Sequence, residues 1–121
     1  MGNEFLTTIV RDDLTPGYKC AQSVHAMADF SVKHENEFKQ WQLGSNYLCC
    51  LQASEIDINR LIKKLDVLEI KYNIFYEPDI GNEMTALAVE AISREEHKKL
   101  FKKFKLALSW VFTTKSEQKL K

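Results

Sequence analysis

No apolar run in this 121-residue chain approaches the ~18 residues that a bilayer crossing requires. The opening Met1-Gly2-Asn3-Glu4 has no basic flank leading into an apolar stretch, so no secretory leader is expected. Cysteine is scarce: Cys20, Cys49 and Cys50 make an odd count, with two adjacent in an apolar run. That excludes an ordinary disulfide framework or paired-cysteine zinc site and predicts reduced, buried thiols in a cytoplasmic protein. A glycine-rich phosphate loop and a Gly-x-Ser-x-Gly elbow are also missing, as are internal repeats and low-complexity linkers. No metal or cofactor is expected. Net charge is absent as well, with 17 Lys/Arg against 17 Asp/Glu, which argues against strong nonspecific affinity for phosphate backbones. The balance is uneven along the chain. From Arg94 onward nine Lys/Arg face three Asp/Glu, leaving an acidic body followed by a basic segment that could dock on the body, a partner or nucleic acid.

What is present is an ordinary globular balance, 45% hydrophobic and 28% charged, in a length that predicts one domain over residues 1–121. Phe5–Val10 is rich in β-branched residues and predicts a first strand. Thr15 followed by Pro16 supplies a hydroxyl N-cap and a residue that needs no N–H, so a helix is expected from Gly17 to about Lys33. Its small apolar stripe, Ala21, Val24 and Ala28, is expected to lie against a sheet. Residues 34–45 predict a second short helix or a loop. Asn46–Gln52 reads as a buried strand, and Ser54 opens a helix with Ile58, Leu61, Ile62, Leu65 and Leu68 on one face. Asn73–Tyr76 and Met84–Ile92 are further strands around the turn-forming residues 77–82. Ser93-Arg94-Glu95-Glu96 is a capping box. Behind it a basic amphipathic helix is expected, with Leu100, Phe101, Phe104 and Leu108 on one side. The fold class expected is α/β: a four-stranded mixed sheet over about 5–92, flanked by helices, with a C-terminal helical extension over about 93–121.

At ~100° per residue, Tyr18, Gln22 and His25 fall in one wedge of the first helix. The helix N-terminus sits at the carboxyl edge of the sheet, where open α/β folds bind ligands. If the third strand runs parallel to the first, Asp79 reaches the same edge. Histidine can act as a base near neutral pH with a carboxylate fixing its tautomer, while Gln22 and Thr85 can offer hydrogen bonds to a carbonyl. The plainer alternative is a surface histidine beside an ordinary turn aspartate. His34 and His97, set among charged residues, are expected to be solvated.

In these residues the chain resembles the type II peptidyl-tRNA hydrolases. That family carries Val-Arg-x-Asp-Leu at the end of its first strand and Gly-Lys-x-Ala-Ala-Gln-x-x-His-Ala on its first helix. Here stand Val10-Arg11-Asp12-Asp13-Leu14 and Gly17-Tyr18-Lys19-Cys20-Ala21-Gln22-Ser23-Val24-His25-Ala26. The family's Asp-Ala-Gly before a threonine-led last strand is matched by Asp79-Ile80-Gly81 and Thr85-Ala86-Leu87-Ala88-Val89. The resemblance implies metal-independent hydrolysis of the ester joining a peptide to tRNA. His25 would be the general base or water-orienting group and Asp79 its electrostatic partner, with Gln22 and Thr85 holding the ester carbonyl. Tyr18, Lys19, Arg11 and Asn82 would lie on the substrate side, and tRNA or peptidyl-tRNA would be the partner.

The chain departs from that pattern in defined places. Tyr18 occupies the family's lysine position, the Leu14–Gly17 connection is short, and Asn82 and Glu83 replace an arginine and a threonine. Each lost charged hydrogen bond removes roughly 1.5–3 kcal/mol. The alternative expectation is therefore a homologue without turnover that binds tRNA or a protein, and the basic segment after Ser93 could cover a sheet face or join two copies.

Overall fold

The computed structural model describes residues 4–108. The elements run β1 (Phe5–Arg11), α1 (Pro16–Lys33), α2 (Glu35–Leu43), β2 (Tyr47–Ala53), α3 (Glu55–Leu68), β3 (Tyr72–Glu77), β4 (Glu83–Ile92), α4 (Arg94–Phe101) and β5 (Lys105–Leu106). A 3₁₀ turn at Pro78–Ile80 joins β3 to β4. Among these residues no helix is long and apolar enough to cross a membrane.

The strands form one sheet in the order β3-β4-β1-β2-β5. β2 runs parallel to β1, whereas β4 is antiparallel to both β1 and β3. β1 and β3 therefore point the same way, and β1, β2 and β3 all end at one rim.

Period-two side-chain alternation gives the sheet two apolar faces. Ile9, Leu51, Leu87 and Val89 meet Ile58, Leu61 and Leu65 of α3 and Phe101 of α4. On the other face Leu6, Val10, Ala86 and Ala88 meet Ala26 and Phe30 of α1 and Trp41 of α2. Local chemistry starts three of the four helices: Thr15, Ser54 and Ser93 each accept a backbone N–H through their hydroxyls, from Tyr18, Asp57 and Glu96. One irregularity matters for the site. The β3–β4 register slips between Phe75 and Tyr76, which pair with Ala86 and Met84 and leave Thr85 as the extra residue. The bulge turns the Thr85 hydroxyl towards α1, where it reaches Gln22.

Four expectations need correction. The sheet has five strands, not four. The helix after Ser93 stops at Phe101, and the chain turns back so that Lys105 and Leu106 pair antiparallel with Gln52 and Leu51. The open edge of β2 supplies the reason: its backbone groups need partners, and Ala107 N–H also donates to Cys50 O at 2.9 Å. The remainder of the expected C-terminal helix, from 109 onward, lies outside the described residues.

Second, α1 presents the opposite face. Gln22, Ser23, Ala26 and Phe30 are buried, while Ala21 and Ala28 are exposed and Val24 is 65% exposed. Phe30 contributes far more apolar area than any alanine, and its face takes the sheet even though that also buries Gln22. Third, the thiols are not sealed in: Cys20 is exposed, and Cys49 and Cys50 are half-buried. Fourth, His34 and His97 are half-buried. One His34 ring nitrogen lies 3.2 Å from Tyr72 O, and the His97 ring sits between Phe5 and Phe101.

Candidate active site

The common rim of β1 and β3 gathers Tyr18, Gln22 and His25 from α1, Glu77 and Asp79 from the end of β3, and Thr85 from β4. Its centre is Glu77, a buried carboxylate. Oε1 accepts the Gln22 side-chain N–H at 2.7 Å, and Oε2 accepts the Asp79 backbone N–H at 3.1 Å. Thr85 in turn donates its hydroxyl to Gln22 Oε1 at 2.5 Å. Donation therefore runs in one direction, from Thr85 through Gln22 to Glu77.

The Gln22 amide, then the Asp79 amide, hold the Glu77 carboxyl below the usual carboxylate range against the opposing effect of burial, and His25 nearby adds to the same side. A buried anion stabilised by amides rather than a full ion pair is costly, and such groups concentrate at functional sites.

His25 is exposed, and its ring lies flat on Phe75, with centroids 4.8 Å apart and planes 7° from parallel. Stacking fixes the ring plane. Both ring nitrogens lack a hydrogen-bond partner among the described residues, so they are open to water or substrate. No bond or ion pair joins His25 to Asp79 among those residues. His25 contributes electrostatically to the lowered Glu77 carboxyl, and Asp79 contributes its backbone N–H to the same group.

Tyr18 is half-buried. Burial first, then repulsion from Glu77 and Asp79, raise its phenol above the usual range, so it remains an O–H donor. Gln22 and Thr85 satisfy each other inside the protein. Asn82 follows Gly81 in the left-handed region, with φ of 60° and 76°, and its N–H closes the turn onto Glu77 O at 2.9 Å. This backbone role suits asparagine, which tolerates that region better than most residues.

The two basic residues of the motif face elsewhere. Arg11 grips Asp13 with two parallel bonds of 3.0 and 2.8 Å and also reaches Glu83 at 2.8 Å and Met84 O at 3.1 Å. Those two carboxylates raise its pKa further, so it stays charged and engaged. Lys19 donates to Gln52 Oε1 at 2.7 Å, over the end of β2.

Sequence reasoning missed Glu77 and Phe75. The signal for Glu77 was a carboxylate two residues before Asp79 at a strand end, suited to capping the Pro78 turn. Nothing in the sequence marks Phe75 as the platform under His25, because the strand register creates that meeting.

The fold and this rim define an α/β protein with a polar site at the carboxyl edge of a five-stranded mixed sheet. No family model matches the chain, and no curated protein matches it. Among solved structures, a protein of unknown function from Agrobacterium tumefaciens, Atu0240, has a similar fold. Its TM-score is 0.64 at 14% identity, over 88% of this chain and 98% of that one.

Proposed function

We propose that the chain is an acyl-ester hydrolase of the peptidyl-tRNA hydrolase kind, with His25 as the base that draws a proton from the attacking water. The observation that carries this reading is the exposed His25 ring, laid on Phe75 and set beside the amide-held Glu77 carboxylate. As water adds to the ester carbonyl, the imidazole gains a proton, and Glu77 stabilises the resulting imidazolium. Tyr18 offers an O–H to the developing oxyanion. Gln22 and Thr85 act as positioning residues through Glu77.

The test is hydrolysis of peptidyl-tRNA by the purified chain. His25→Ala should lower kcat by roughly 10²–10⁴-fold, Glu77→Gln by less, and Asp79→Asn least, since the Asp79 backbone amide survives. Unchanged turnover in His25→Ala would remove the proposed base.

A second reading is a homologue that binds without turnover, and the charge at the rim favours it. Arg11 is neutralised by Asp13 and Glu83, and Glu77 and Asp79 add negative charge beside His25, which opposes a phosphate-rich substrate. Salt-steep tRNA binding without hydrolysis would select this reading. Absence of tRNA binding would point to a protein partner instead.

A further inference from the structure

A second concave site lies at the same rim but over β1 and β2. These adjacent parallel strands send their connections to opposite faces: β1 continues into α1 and β2 into α3, whose apolar sides belong to the two separate cores. Such a switch in topology opens a crevice beyond the strand ends, the usual ligand position in open α/β sheets. Here the crevice is a cleft of about 370 Å³.

Beside the apolar Ala53 and Phe104, its lining carries polar groups of mixed sign: Asp12 beyond β1, Gln52 and Ser54 at the end of β2, Asp57 in the first turn of α3, and Lys103 and Lys105 from the turn into β5. The base is fixed. Gln52 is 8% exposed, takes Lys19 on its oxygen and donates to Leu106 O at 2.8 Å. Asp12 N–H donates to Ala53 O at 2.9 Å, which ties the two strand ends together.

The distribution of charge selects the ligand class. Asp57 already faces Arg60 at 3.5 Å and Lys103 at 4.0 Å. Asp12 and Lys105 are solvent-exposed and enter no ion pair among the described residues, so one carboxylate and one ammonium are free to meet a ligand. The first-turn amides of α3 add positive potential near Ser54. A phosphate dianion would meet the unpaired Asp12 carboxylate, and no glycine opens the β2–α3 turn for a close backbone cradle. A simple cation would meet the unpaired Lys105 ammonium. A molecule carrying one carboxylate and one ammonium satisfies both signs.

We infer that this cleft binds a small zwitterion, a free α-amino acid or a short peptide, with its ammonium on Asp12 and its carboxylate towards Lys105 and the start of α3. The inference does not rest on the hydrolytic reading, because neither Asp12 nor Lys105 touches His25 or Glu77.

Two-dimensional amide NMR of the full chain tests it by titration with L-leucine and with Ala-Ala, against acetate, ethylammonium and inorganic phosphate. Both zwitterions should give saturable shifts at Asp12, residues 54–57 and residues 103–105, larger than any singly charged probe gives. The tighter of the two identifies free amino acid or peptide as the source. Asp12→Asn and Lys105→Met, with spectra otherwise unchanged, should each weaken binding about tenfold or more. Absence of saturable shifts at about 10 mM would overturn the assignment. So would phosphate or acetate acting as strongly as the zwitterions, or both variants binding like the parent chain.

Discussion

The two faces of the sheet are built on different principles. Under α3 and α4 the contacts are apolar, with Ile58, Leu61 and Leu65 meeting Ile9, Leu51, Leu87 and Val89. Under α1 an apolar patch around Ala26 and Phe30 gives way, towards the rim, to Gln22, Thr85 and Glu77. Burial of hydrocarbon stabilises the first face and tolerates small adjustments. The second face exchanges hydrocarbon for a directional chain of hydrogen bonds, whose net gain is modest and whose disruption leaves buried groups without partners. The first face supports the fold through hydrocarbon, and the second gives up part of that stability to hold a carboxylate at the rim.

The largest effect should come from the apolar face. Leu65 is fully buried, so Leu65→Ala removes hydrocarbon and leaves a cavity, at a cost of about 2–5 kcal/mol. Denaturant unfolding would measure this, and the amide-held site should keep its geometry in the folded fraction. Thr85→Val conserves shape but removes the hydroxyl, leaving the Gln22 oxygen buried and unpaired. The expected loss is about 1–3 kcal/mol. Unlike Leu65→Ala, it should also release Glu77, raising the carboxyl pKa that NMR reads. A change in stability without a change in Glu77 would show that the two faces do not differ in kind.

The same contrast explains what the sequence discloses. The i, i+3, i+4 pattern of α3 identifies Ile58, Leu61 and Leu65 because burial there follows hydropathy. Leu68, the last residue of α3, ends that pattern at 53% exposure. The strands β1 and β4 are legible for the same reason, as are the three hydroxyl caps, whereas β2, expected to be buried throughout, leaves Tyr47 and Leu48 each 47% exposed. On α1 hydropathy misleads: Ala21, Val24 and Ala28 suggest one face, yet Phe30 and Ala26 bury another and carry Gln22 in with them. Glu77 is hidden for a related reason, since a glutamate at a strand end reads as a surface residue until the bulge at Thr85 and the amide of Gln22 are in place. β5 is a two-residue pairing set by an open strand edge, and no local signal marks it.

Acid should begin to weaken the two faces at different pH values. On the α4 side, burial between Phe5 and Phe101, then repulsion from Arg94, push the His97 imidazole below its usual 6.5. The unfolded chain therefore binds that proton more readily, so this contribution is complete above pH 6.5 and is lost as pH falls towards the folded value. On the α1 side the Glu77 carboxyl lies below its usual 4.5. Its contribution is complete above pH 4.5 and disappears as pH drops through the folded value. Asp13 and Glu37, lowered by Arg11 and Lys71, act in the same acid range, so the comparison must be made against Glu77→Gln. Unfolding curves across pH should lose the upper step in His97→Phe and shrink the lower step in Glu77→Gln. Identical profiles in both variants and the parent would reject the assignment of the two steps to these groups.

The smallest effect tests the orientation of α1 itself. At ~100° per residue the stripe Ala21, Val24 and Ala28 lies on the far side of the helix from Ala26 and Phe30. Val24 is accordingly 65% exposed. Val24→Ser should change stability by no more than about 0.5 kcal/mol, as surface substitutions do. Had the stripe packed on the sheet, the same change would have placed a hydroxyl in apolar surroundings and cost several times more. Ala26→Ser provides the matched control, since Ala26 is fully buried and the added oxygen must find room beside Val10 and Ala86. Equal costs for the two substitutions would mean that α1 is rotated from the arrangement that brings Gln22 to Glu77. The polar face would then lose the helix that creates it.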